Sequence, residues 1–249
     1  MIGIFTEPSV TFKKTAMFPP KIIDWLLPMI LLFLIIDVTR ILVLSNEEIY
    51  FQEKQKQTKQ IEKTFNEMVK KGQMTREQAD QGLEQARQRM EMGRGPVGYI
   101  FQTFGIFIVG FIFYFIITLI YFLLAKFVLK GNGTYRSALV ASGLPAYITA
   151  VQMILAAILS LAFGRLMNDA SVAAFAGMDK STLAGFLLAK VEPLSIWAYS
   201  VVSIGFTKMF KSPSTWKYFV LIFGLWIIGS LFFWFLGKAV PFLSFITEM

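Results

Sequence analysis

The sequence contains no cysteine and no histidine among its 249 residues. The absence of cysteine excludes a structural disulfide and a thiol nucleophile. Without either residue, thiolate or imidazole zinc sites and a histidine-based triad are excluded as well. A glycine-rich phosphate loop, a G-x-S-x-G motif and an acidic pair on a membrane-facing helix are also missing. We therefore expect a protein that is not an enzyme and that binds no metal ion and no cofactor.

Charged residues are scarce outside one segment. They make up 16% of the chain and are concentrated between residues 47 and 94, whereas apolar residues make up 55% and the mean hydropathy is +0.59. This apolar surplus exceeds what a soluble domain of this length needs for its core, so it predicts that the lipid bilayer is a partner. The net charge of +8 reflects basic clusters beside apolar runs, so we expect no nucleic-acid partner.

Five apolar stretches fall within the range of about 17–25 residues that is typical of membrane-spanning helices. They predict an all-α polytopic bundle in which residues 1–44 and 97–249 form one membrane domain. Residues 7–17 are predicted to form a short interfacial helix ahead of it. The apolar run that follows is too long for a signal peptide, so we expect no cleavable signal. The predicted spans are residues 22–44, a part of 97–129, 147–163, 194–210 and 218–236.

The charged insert between the first two spans, residues 45–96, has the pattern of a soluble helical hairpin. Gly72 follows two lysines, which is typical of a helix C-terminus. Thr75 and Gln78 have the spacing of a capping box at the start of a second helix. A thin apolar stripe predicts that the two helices pack antiparallel. The stripe residues are Ile61, Phe65, Met68, Ala79, Leu83, Ala86 and Met90.

Basic residues in the short loops predict the orientation. The segments before span 1, between spans 2 and 3, and between spans 4 and 5 carry three Lys or Arg each, and Glu7 is their one acid. In the loop between spans 3 and 4, three bases are balanced by three acids. Lys and Arg accumulate on the cytoplasmic side. We therefore expect a multi-pass protein of the cell (inner) membrane with a cytoplasmic N-terminus, and with the hairpin and the C-terminus on the outer face.

Two ionisable residues lie inside the first predicted span. A charge there costs about 2.5–3.5 kcal/mol on insertion scales, so it requires a partner or a route to water. Asp37 and Arg40 are three residues apart and share a helix face, so they can pair. The pair is either structural, with Arg40 reaching the outer interface, or a gating or proton-linked device. Asp24, at the inner end of this span, is a candidate functional carboxylate or a helix-start residue.

Small and polar residues mark one face of the third span. Ala156, Ser160 and Gly164 recur at four-residue intervals, which lets helix backbones approach closely. This spacing predicts packing inside the bundle, with a homodimer face as the alternative. Gln152 on this span and Ser195 on the fourth span belong to polar faces, which predict hydrogen bonds between helices or, alternatively, a substrate path.

Three stretches of the membrane part resemble the Yip family of Ypt-interacting membrane proteins, especially its prokaryotic branch. Of the Asp-Leu-x-Gly-Pro element of eukaryotic members, only Asp24 and Pro28 are present here. The resemblance implies a non-enzymatic membrane protein, linked in eukaryotes to trafficking or membrane organisation. The stretches are IFTEPSVTFKKTAMFPPKIIDWLLP (4–28), GTYRSALVASGLPAYITAV (133–151) and VEPLSIWAYSVVSIG (191–205).

Two functions follow as hypotheses. In the first, the chain organises or assembles other membrane proteins through its bundle and outer hairpin. In the second, it is a transporter of ions or small molecules, or a transporter subunit, with Asp37, Arg40 and Gln152 along a path. A water-accessible cavity that reaches Asp37 would favour transport, whereas a closed bundle with a protruding hairpin would favour assembly.

Overall fold

The computed structural model describes residues 2–92 and 95–239, and every regular element in these ranges is helical. The all-α prediction is therefore confirmed for the described part of the chain. A single π-helical turn (Leu124–Val128) continues α6. The helices are α1 (Gly3–Thr6), α2 (Pro8–Thr15), α3 (Ile23–Leu44), α4 (Glu47–Lys70), α5 (Arg76–Met92), α6 (Pro96–Leu123), α7 (Tyr135–Gly143), α8 (Ala146–Phe163), α9 (Val172–Phe175), α10 (Leu183–Ala189), α11 (Pro193–Met209) and α12 (Thr215–Ala239).

Four apolar helical segments are long enough to cross a membrane: α3, α6 with its π-helical turn, α7 with α8, and α12. The helices α10 and α11 meet at a bend of 62°, so together they form either a broken fifth span or a re-entrant segment. Pro193 occupies the first turn of α11, where its missing N–H leaves no helical hydrogen bond unmade. The described residues thus contain four candidate spans, or five if the bent pair crosses as one, and the predicted polytopic helical fold is confirmed.

The insert forms two helices, α4 and α5, that pack against each other. Gly72 has a φ of +69°, a left-handed conformation that ends α4 at little steric cost. The Thr75 hydroxyl accepts a hydrogen bond from the Gln78 N–H at 3.2 Å, and the Gln78 side chain accepts one from the Thr75 N–H at 2.9 Å. This reciprocal pair is the predicted capping box. Gly82 leaves room for the Phe65 ring, since a Cβ there would lie 2.9 Å from ring atom Cε2.

The N-terminal helices pack on the bundle. The short helix predicted within residues 7–17 is present as α2, which lies against α11. Phe12 is fully buried and Ile4 is 1% exposed. A Cβ at Gly205 would lie 2.8 Å from the Phe12 ring atom Cζ, so only a glycine lets the ring approach α11 this closely. Docking of Phe12, which the sequence did not predict, makes this helix a part of the protein core.

Two apolar cores hold the membrane part together. The larger core joins the N-terminal helices to α7, α11 and α12, and Phe206, Phe210 and Tyr218 are among its fully buried side chains. The smaller core joins α3, α6 and α8 around Phe33. Gly110 faces this ring, because a Cβ there would come within 2.5 Å of Phe33 Cζ. Neither core contains a described residue of α4 or α5.

The loops collect at two ends of the bundle. At the first end, the Asn132 N–H donates to the Phe210 carbonyl at 3.1 Å, which joins the loop after α6 to the loop after α11. At the other end, the charges of Lys56 and Lys63 on α4 act on Asp179 in the loop before α10. The C-terminal residues 240–249, which the sequence places on the outer face, lie outside the described residues, as do Gly93 and Arg94 of the insert.

Candidate functional site

Asp37 lies on the second half of α3 and is 7% exposed. Its Oδ2 atom is buried and has no hydrogen-bond partner among the described residues. The polar groups that act on the carboxylate are the hydroxyl of Thr103 on α6 and the guanidinium of Arg40. A buried carboxyl group with an open acceptor position is energetically costly within a span and can take a proton or a cation.

Arg40 does not form a salt bridge with Asp37, although both residues lie in the described part of the chain. The two side chains lie in different environments, since Asp37 is buried and Arg40 is exposed. Arg40 instead lines a cavity of about 180 Å³ where the hairpin joins the bundle. Asp37 is not among the residues that line this cavity.

The cavity beneath the hairpin, which we call the hairpin-base cavity, is formed where four helices meet. The last turns of α3 and α5 meet the beginnings of α4 and α6 there, so its position follows directly from the antiparallel hairpin. Among its lining side chains that the structure describes, three are basic and one, Glu53, is acidic. The lining residues are Arg40, Leu44, Tyr50, Glu53, Lys54, Gln57, Arg89, Met90, Tyr99 and Gln102.

A second polar group lies between α8 and α11. The side-chain N–H of Gln152, which is 7% exposed, donates to the Ser195 hydroxyl at 3.0 Å. The two residues that the sequence assigned to facing polar surfaces are therefore in contact across the helix pair. A hydrogen bond between spans is worth about 0.6 kcal/mol on average. This bond stabilises the packing of α11 on α8.

Glu192 is a buried acid. In the sequence it is only one of the three acids that balance three bases in the loop between spans 3 and 4. Its side chain is 1% exposed, and Oε2 accepts a hydrogen bond from the Ser195 N–H at the start of α11. The other oxygen, Oε1, is buried and has no partner among the described residues. Its position directly before Pro193 was the available signal, because proline is common at the first position of a helix and the residue before it is then the N-cap.

The remaining candidate residues have local structural roles. Oδ2 of Asp24 accepts the Lys21 N–H at 2.8 Å, which supports the chain at the start of α3. Ala156 and Ser160 are 4% and 1% exposed, so they lie inside the bundle. The Ser160 hydroxyl also accepts the Met167 N–H at 2.9 Å. Gly164 ends α8 with a φ of +61°, and a Cβ there would meet no described atom within 4 Å, so its role is a helix cap.

The loop beyond α8 is held by an ion pair. Lys180 Nζ lies 2.6 Å from Asp169 Oδ2, and the Trp234 ring N–H of α12 donates to the Lys180 carbonyl at 3.3 Å. Burial raises the pKa of Asp169, but hydrogen bonds from Lys180 and Ser171 outweigh it and hold that pKa below its ordinary value. The ion pair therefore ties the two ends of the loop together, and the Trp234 hydrogen bond joins the loop to the last span.

The described residues contain no group of three or more Asp or Glu side chains that could hold a metal ion. The family model described as the Yip1 domain matches residues 2–236 of the chain. This match covers the N-terminal helices, the hairpin and the candidate spans, except for the last two residues of the final span. No curated protein and no solved structure matches the chain.

Proposed function

The chain belongs to the Yip1-domain family of integral membrane proteins, and we propose that it is a non-enzymatic organiser that assembles other membrane proteins. In this proposal, the bundle anchors the chain in the bilayer and the hairpin contacts the partner. The N-terminus lies in the cytoplasm and the hairpin lies on the outer face of the cell membrane.

The observation that carries this proposal is the position of the hairpin outside both cores. The helices α4 and α5 bury apolar side chains mainly against each other, as Phe65 does against Gly82. One face of α4 is strongly charged and carries both acidic and basic side chains, among them Glu48, Lys59 and Glu62. A charged helix pair outside both cores exposes a face of mixed charge that can bind another molecule by electrostatic complementarity.

A photo-crosslinking experiment tests the proposal. A photoreactive phenylalanine analogue at Gln81, an exposed position on α5, should capture a membrane protein partner in cells. The same analogue at Met17, which is 75% exposed at the other end of the bundle, is the matched control. Capture of lipid alone from position 81, or of the same proteins from both positions, would contradict a partner site on the hairpin.

A second experiment replaces residues 52–93 by a short Gly/Ser linker and tests whether the hairpin is needed for folding. Because no described hairpin residue belongs to either core, the shortened chain should remain folded and monodisperse in mild detergent while the captured partner is lost. If the shortened chain aggregates, the hairpin is a packing element and the proposed role is wrong.

Transport of protons or cations is a second candidate, favoured by the buried oxygens of Asp37 and Glu192 that have no partner among the described residues. Carboxyl groups inside spans commonly serve as proton relays or cation ligands. In liposomes, the protein should then conduct protons or cations down a gradient, and Asp37→Asn should abolish the flux without lowering the melting temperature. Flux no greater than that of empty liposomes would exclude this candidate.

A further inference from the structure

We propose that the hairpin-base cavity binds the phosphate group of an anionic phospholipid from the leaflet on the hairpin side. The observation is a cavity of about 180 Å³ with Arg40 from α3 and Arg89 from α5 in its wall; Lys54 and Glu53 are its other charged residues in the described part of the chain. This proposal is independent of the assembly role, because it concerns a lipid and not a protein partner.

The size and chemistry of the cavity suit a phosphate group. A water molecule occupies about 30 Å³ in the liquid, so the cavity has room for a tetrahedral anion and several waters. Arginine binds phosphate oxygens with two parallel N–H donors, and these charge-assisted bonds are about twice as strong as neutral ones. Arg40 from α3 and Arg89 from α5 approach the cavity from different helices, so one anion can accept from both.

The depth of the cavity in the membrane favours a lipid over an anion from solution. Arg40 is four residues before the end of α3, and Gln102 is in the second turn of α6. Tyr50 and Tyr99 also line the cavity. Tyrosine is enriched where the hydrocarbon meets the headgroups. The cavity therefore lies at the level where phospholipid phosphates are found.

Below the cavity, the surface can accept acyl chains. Exposed apolar side chains on α3 and α6 continue from the level of Arg40 toward the membrane centre; they include Leu34, Val38, Phe104 and Ile108. Acyl chains that lie against this surface place their own phosphate beside the cavity. A bound headgroup would then bridge α3 to α5 and fix the hairpin relative to the bundle.

Two nearby arginines on α5 provide a matched test. Arg89 lines the cavity, whereas Arg87, two positions earlier, does not. Binding of dioleoylphosphatidylglycerol and of dioleoylphosphatidylcholine to the full chain in neutral detergent would be measured by native mass spectrometry. Thermal unfolding with and without each lipid provides an independent readout and reports whether each variant is folded.

We expect the wild-type chain to bind phosphatidylglycerol in preference to phosphatidylcholine and to be stabilised by it. Loss of one charge-assisted contact should weaken this binding roughly tenfold in Arg40→Gln and in Arg89→Gln. Arg87→Gln should bind as the wild type does, and inorganic phosphate at millimolar concentration should not displace the lipid.

Three results would overturn the proposal. Equal binding of the two lipids would remove the preference for an anionic headgroup. Weakening by Arg87→Gln as great as by Arg89→Gln would indicate only a diffuse positive field. Displacement of the lipid by inorganic phosphate, with equal stabilisation by the free anion, would make this a site for soluble phosphate and not for lipid.

Discussion

Phe12 offers the sharpest test of how the N-terminal helix is attached. Its ring is fully buried against Gly205 of α11. Replacement of a buried phenylalanine by alanine costs about 3–5 kcal/mol, of which burial itself accounts for about 1.5–3 kcal/mol. Phe12→Ala should therefore destabilise the docked state of α2 by about 3 kcal/mol, which corresponds to a roughly hundredfold larger undocked population.

Limited proteolysis measures this population. Lys13 and Lys14 are exposed on α2, but trypsin requires the helix to open locally before it can cut there. Cleavage at these lysines should follow the undocked population and rise about a hundredfold in Phe12→Ala when opening is fast relative to cleavage. The neighbouring variant Val10→Ala changes a side chain that is 44% exposed, so it should be cut at the wild-type rate.

Gly205→Ala perturbs the same contact from the other side. The new methyl group would lie 2.8 Å from the ring atom Cζ of Phe12, so it should displace the ring and increase cleavage. Because the two substitutions remove one shared contact, the double variant should be less destabilised than the sum of the single variants. Wild-type cleavage in Phe12→Ala, or strict additivity in the double variant, would refute the docking of α2 through this ring.

Two further predictions concern the ends of the bundle. In this cysteine-free chain, an impermeant thiol reagent should label cysteines at positions 81 and 179 in intact cells but not at 132 and 212; the reverse pattern would invert the proposed orientation. Asp169 has a folded-state pKa below its ordinary value of 3.8. Its stabilising effect should therefore be complete well above pH 3.8 and lost as the pH falls through the lower folded-state pKa. Asp169→Asn should lower the melting temperature at neutral pH, with the difference vanishing in acid, whereas Asp80→Asn, in an exposed pair with Arg76, should have little effect. A pH-independent effect of Asp169→Asn would show that the Lys180 pair does not act through the Asp169 charge.

Several elements could be predicted because their signals are local. The second half of the hairpin begins at a capping box, Thr75 with Gln78, whose two hydrogen bonds involve residues only three positions apart. The same holds for Gly72, whose positive φ ends α4. Apolar length alone predicts the spans, because a helix satisfies all of its backbone hydrogen bonds within its own segment.

The candidate polar residues were harder to predict. Asp37 and Arg40 are three residues apart, a spacing at which two side chains on one helix can form an ion pair. In the structure, however, Asp37 is buried, whereas Arg40 lines the hairpin-base cavity. A three-residue spacing permits a contact on an isolated helix but does not require it, since each side chain also responds to its neighbours on other helices. Gln152 and Ser195 illustrate the opposite outcome, because both polar faces were evident and the packing of α11 on α8 joined them.

The sequence by itself determined that this protein is a helical membrane protein with a charged hairpin, because hydropathy, helix length and capping act within single segments. Only the tertiary structure decided that Phe12 enters the core, that Glu192 is buried at the bend before α11, and that four helix ends enclose a basic cavity. Each of these features depends on residues that are distant in the chain. Their contacts arise when helices pack, and helix packing follows from side-chain shape across several spans, which no local pattern records.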